Sequence, residues 1–161
     1  AFEQASQEHY ISEMVPKDES KENWTQMFTI QGFKGAAQKI PPQGMLAVTV
    51  NMHKALCGNQ VTVEDLGPGT ISGFKTHRAL IGCAAIAKDH PSGLKAGMSE
   101  IAYYIVVQGK EDVYVFHKAQ RGKKYDPENP PLTKANAEEF MEEFRPIRLC
   151  EKTGNIGECL Q

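Results

Sequence analysis

Two β-rich runs joined by a short loop constrain this chain more than any other feature of it. Met98 to Val107 and Val113 to Ala119 are dominated by Ile, Val, Tyr and Phe, and Gln108-Gly109-Lys110-Glu111-Asp112 connects them. β-branched and aromatic side chains suit a pleated, half-buried surface, and a short Gly-bearing link between two such runs marks a β-hairpin. A lone hairpin is at best marginally stable in water, so it must extend into a larger sheet and bury a face against other elements.

Further strands are legible. Trp24 to Phe33 alternates, with Gln26, Phe28 and Ile30 on one side and Thr25, Met27 and Thr29 on the other. Tyr10 to Val15 suits a short edge strand ending at Pro16, and Val61 to Leu66 another strand. Gly67-Pro68-Gly69 and Gly73 bracket a loop. His77 to Ala87 is apolar almost throughout and fits a strand covered on both faces, although its alanines keep a helix open.

Two segments have helical character. Pro41-Pro42 suits a first turn, where N–H groups lack partners anyway. Met45, Val48, Met52 and Leu56 follow as one apolar stripe, and Gly58-Asn59 stops the run. Near the C-terminus, Asn136 followed by Glu139 resembles a capping box, with Ala137, Phe140, Met141 and Phe144 as the buried stripe and Pro146 as the stop. The expected fold is α+β: a mainly antiparallel sheet with two principal helices packed on it, stapled by disulfides. The 161 residues suit a single domain, 1–161. Within it, residues 1–7 read as a flexible N-terminus and 146–161 as a disulfide-stapled tail.

Cysteine usage bears on the compartment. Cys57, Cys83, Cys150 and Cys159 are even in number and lack C-x-x-C spacing, which argues against a zinc ribbon or thioredoxin-like chemistry. Three pairings are possible; Cys150 and Cys159 flank a Gly-bearing stretch able to turn back on itself, which suggests a local staple there, with Cys57 then joined to Cys83. Disulfides point to a periplasmic or secreted protein, and Ala1-Phe2-Glu3-Gln4 reads as a mature end left after signal cleavage. The alternatives are four buried thiols in a cytosolic protein and an arbitrary start. No run approaches the roughly 18 apolar residues of a spanning helix. A net charge of −2 with interspersed signs gives no nucleic-acid footprint.

Glu22-Asn23-Trp24-Thr25-Gln26-Met27, the Gly82-Cys83 step, the hairpin YIVVQGKEDVYVFHKAQR from Tyr104 to Arg121, and Ile147-Arg148-Leu149-Cys150 together resemble a family of small exported bacterial proteins of unknown function. More weakly, the order of elements looks like the PsbP-like α/β/α sandwich. That resemblance implies a protein that binds partners rather than catalyses, and implies no ligand.

The chemistry-bearing residues form no complete signature, and neither a catalytic set, a cofactor site nor a metal site is expected. His53 and Cys57 share a helix face, as a thiolate and imidazole would, but a disulfide consumes the thiol. Asp89-His90-Pro91-Ser92 holds triad residue types in one turn, though working triads are spatial constellations. Trp24 suits the core or a partner hot spot. His117 reads as a satisfied strand residue, and Glu138, Glu139, Glu142 and Glu143 as a solvated helix side. Gly67-Pro68-Gly69-Thr70 lacks the Gly-Lys-Ser/Thr of a phosphate loop. Lys118, Arg121, Lys123 and Lys124 form the strongest local charge excess and a candidate partner surface. The expected function is non-enzymatic binding of another protein, as an envelope accessory factor or a toxin inhibitor or immunity protein. The alternatives are a small hydrolase using the Asp89-His90 loop and a small-ligand carrier.

Overall fold

A computed structural model describes residues 1–150. Seven strands form one antiparallel sheet: β1 (Phe2–Ala5), β2 (His9–Met14), β3 (Gln26–Phe33), β4 (Val61–Ile71), β5 (Phe74–Cys83), β6 (Met98–Gln108) and β7 (Val113–Lys123). Their spatial order is β1-β2-β3-β7-β6-β5-β4. The predicted hairpin is the centre of the sheet. Gln108 pairs with Val113, and the turn closes with Gly109 N–H donating to Asp112 C=O at 2.9 Å.

The β4–β5 hairpin departs from expectation. Ile71 pairs with Phe74, so Ser72 and Gly73 alone make the turn, both at positive φ. Such a turn follows the twist of antiparallel strands. The Gly67-Pro68-Gly69 stretch is not a loop but part of β4. A register shift between Asp65 and Gly67 absorbs its irregularity, and Asp65 Oδ1 accepts the Gly67 N–H at 2.8 Å. The N-terminus also differs: Phe2–Ala5 pairs with β2, so β2 is not an edge.

One principal helix, α1 (Pro42–Cys57), crosses the first face of the sheet between β3 and β4. Side chains alternate across the sheet, so Met27, Ala79, Ile81, Val106, Val113 and Val115 meet α1 through Leu46 on this face. The second face carries Phe28, Leu80, Tyr103 and Phe116 and is covered by residues 125–149. Leu132, Ala137 and Met141 seal it, and Phe144 stacks on Phe28 at 4.0 Å.

That covering segment is not a second principal helix. α2 spans only Ala137–Phe140, followed by a 3-10 turn, Glu142–Phe144. Asn136 makes no side-chain cap; its Oδ1 turns back to accept the Thr133 N–H at 2.8 Å. The architecture is mainly-sheet α+β with one helix on one face and mostly irregular chain on the other. Cys57 and Cys83 are joined, tying the end of α1 to the end of β5 across 5.7 Å between Cα atoms. Cys150 carries no free thiol. Its expected partner, Cys159, lies outside the described residues, as does the rest of the predicted tail staple.

Candidate functional site

A cleft of about 380 Å³ opens on the first face, beside α1. Strand alternation builds its floor: His117, Ala119 and Arg121 of β7 all point to this side, together with Met27 of β3 and Trp24 just before it. Met52, His53 and Leu56 from the last turns of α1 form one wall. The loop between β5 and β6 forms the other through His90, Ser92 and Leu94.

Arg121 holds that loop to the sheet. Its Nε donates to its cross-strand neighbour Glu100 at 2.9 Å, and its terminal nitrogens donate to Ser92 C=O at 3.0 Å and Ser92 Oγ at 3.2 Å. The guanidinium lies 3.8 Å over the Trp24 ring, a cation–π arrangement. Gly93 secures the same loop from the other side. It has φ +85°, and an added Cβ would fall 1.8 Å from the Glu22 carbonyl oxygen.

Three imidazoles line the cleft, those of His53, His90 and His117, and two of them meet Tyr104. His53 pairs its Nδ1 with Thr49 C=O at 3.0 Å and presents its ring edgewise to Tyr104. His117 lies against Tyr104 at 4.7 Å between ring centroids, and its buried Nδ1 has no hydrogen-bond partner among the described residues. His117 is therefore not the satisfied strand residue expected. Burial, aided by the neighbouring His53, pushes its pKa down to about 4, so the ring is neutral at pH 7. Burial, with the charge of Glu100, drives the Tyr104 hydroxyl far above its ordinary range. Glu13 pairs with Lys21 at 3.2 Å and Glu100 with Arg121. The interior thus presents apolar surface from Trp24, Met27, Met52 and Leu56, a neutral His117, and the two ion pairs Glu13–Lys21 and Glu100–Arg121, a setting for an apolar group.

The sequence candidates are distributed differently. Cys57 is in the disulfide, so it forms no pair with His53. Asp89 turns away from His90: its carboxylate accepts from Ala96 N–H at 2.9 Å and Lys95 Nζ at 3.2 Å, which hold its pKa down. His90 Nδ1 meets Ser92 Oγ at 2.9 Å and accepts the Ser92 N–H at 3.2 Å. A histidine and a serine touch, but no acid among the described residues orients the imidazole, so they assemble no triad.

The basic stretch does not form one patch. Lys118 and Arg121 point to opposite faces of β7, and both side chains are buried. Lys118, 5% exposed, pairs with Glu143 and donates to Phe140 C=O at 2.9 Å on the second face. Lys123 and Lys124 alone are exposed. Glu138 and Glu143 correspondingly are not merely solvated. Glu138 accepts the Tyr103 hydroxyl at 3.1 Å and pairs with Arg145.

The feature that sequence reasoning missed is the direction of the α1 stripe. Met45 packs against the core, but Val48, Met52 and Leu56 are 48%, 68% and 38% exposed. The buried helix residues are Pro42, Leu46 and Cys57. The Cys57–Cys83 bond carries the signal, because Cys57 must face the sheet and Leu56 stands about 100° away from it around the helix; that pairing is expected from the cysteine spacing, whereas its consequence for the stripe was missed.

No protein-family model matches the chain, and no curated protein matches it. Among solved structures, it is similar in fold to PA94 from Pseudomonas aeruginosa, a protein of unknown function suggested to be a regulator. The TM-score is 0.54 at 11% identity, over 92% of this chain and 88% of that one. The likeness is one of fold.

Proposed function

We propose that this is a non-enzymatic binding protein of the periplasm or extracellular space, whose α1 face and adjoining cleft hold an apolar segment of another protein. One observation carries the reading. The stripe Val48, Met52, Leu56 is exposed on α1 and runs directly into the cleft lined by Trp24 and Met27. Eight residues of helix span about 12 Å, so a small molecule seated in the cleft would leave Val48 bare, whereas a peptide segment covers the whole stripe. Methionines at positions 27 and 52 make the surface adaptable to side-chain shape. Exposed Lys123 and Lys124 serve as flanking charges in this reading. The Cys57–Cys83 disulfide supports an oxidising compartment.

The test is selection of random peptides against the wild-type protein, followed by affinity measurement with Met52→Asp. Because Met52 is largely exposed, that substitution should leave the fold intact. Selected peptides should share large apolar side chains, quench Trp24 fluorescence, and bind Met52→Asp at least about tenfold more weakly. Peptides that bind both proteins equally, or no enrichment at all, would reject the reading.

A further inference from the structure

The second face carries a separate cleft of about 470 Å³, bounded by β4, β5, β6 and the covering segment. Its charged groups are Arg78, Glu138 and Arg145, so two guanidiniums share one carboxylate. Both oxygens of Glu138 are engaged, Oε1 by the Tyr103 hydroxyl and Oε2 by Arg145. Arg78 is left with a terminal nitrogen 3.6 Å from Glu138 Oε1, outside hydrogen-bond distance. Its Nε is buried and has no acceptor among the described residues. A guanidinium is a planar fork of donors that matches a carboxylate, and a buried donor without an acceptor is an unfavourable arrangement.

Gly69 preserves the space in front of these donors. It pairs in register with Thr76 and does not have the positive φ that would require glycine. A Cβ there would stand 3.2 Å from Thr76 Oγ1 and 3.9 Å from Arg78 Nε. The missing side chain thus leaves a niche over a hydroxyl and an unmet N–H. Beyond it the walls become apolar, with Ile71, Ile105 and Ile147.

We propose that this cleft binds a small organic carboxylate with a short apolar tail. The carboxylate sits on Arg78 with the Thr76 hydroxyl beside it, and the tail lies along the isoleucines. The charge balance selects the class: Arg78 and Arg145 against Glu138 leave one positive charge, which a monocarboxylate neutralises and a phosphate dianion exceeds.

The experiment titrates the full chain with sodium octanoate, and separately with sodium phosphate, at constant ionic strength. The Arg78 Nε–H and Gly69 amide resonances are followed by ¹⁵N NMR. Octanoate should shift both saturably and phosphate should not. Arg78→Gln should weaken octanoate binding at least about tenfold, the loss expected for a charged hydrogen bond, and Gly69→Ala should weaken it comparably by filling the niche over Thr76 and Arg78. If Arg78→Gln does not fold, Gly69→Ala, which keeps every charge, decides. No saturable shift, equal binding by Gly69→Ala, or saturation by phosphate in place of octanoate would overturn the proposal. Peptide binding at the first cleft is independent of all these outcomes.

Discussion

His117 is the residue at which a proton matters most. Its folded pKa of about 4 lies below the ordinary 6.5. Between those values the unfolded chain binds a proton that the folded chain does not, so stability falls as pH drops from 6.5 toward 4 and this contribution levels off below. The loss should reach up to about 3 kcal/mol. Urea midpoints of wild type and His117→Leu at pH 7.5 and 4.5 check it: the variant should lose less stability over that interval. Lys118 and Lys123 offer a second comparison on one strand. Lys118→Glu places a carboxylate beside Glu143 in a buried site and should cost more than about 3 kcal/mol, whereas Lys123→Glu should stay within about 0.5 kcal/mol. Thermal melts of the two variants distinguish them. Residue types gave no sign of this difference, because the four basic residues look alike in sequence and only strand alternation separates their faces. Gly93→Ala should dislodge the loop that Arg121 clasps, since no rotation of a methyl relieves a 1.8 Å approach to a backbone oxygen.

At the scale of elements, the strands were largely legible and the helices less so. The β6–β7 hairpin and β3 follow from alternation and β-branched content, which depend only on near neighbours in the chain. β1 did not, because the four exposed residues Phe2–Ala5 show no strand periodicity and become a strand by pairing with β2. The expected C-terminal helix contracts to one turn because the core it covers asks for something else. Phe144 reaches Phe28, Lys118 takes the Phe140 carbonyl, and Asn136 is occupied with Thr133. The disulfide acts at this scale too. It closes a sequence separation of 26 residues and fastens α1 to β5. By the loop-entropy relation, Cys57→Ser with Cys83→Ser should cost roughly 3–4 kcal/mol, measurable as a lowered denaturant midpoint without loss of strand content by circular dichroism.

The molecule as a whole is a sheet buried on both faces by different means, a helix on one and mostly irregular chain on the other. The second cover is held by few large side chains, of which Met141 is fully buried. Met141→Ala should therefore cost about 2–5 kcal/mol, seen in chemical denaturation, and should also loosen the Arg78 cleft that this segment walls. An antiparallel sheet around one hairpin and an apolar helix between β3 and β4 were legible from the chain alone, and the cysteine spacing favoured a Cys57–Cys83 staple among three possible pairings. Those features arise from local periodicity and cysteine arithmetic. The side of α1 that faces the sheet, the parting of Lys118 and Arg121, and the ion pairs of Glu138 and Glu143 emerge only once the chain is folded. The physical reason is common to all three. A residue's periodicity says which neighbours share its face, but which face is buried depends on what the rest of the chain lays over it.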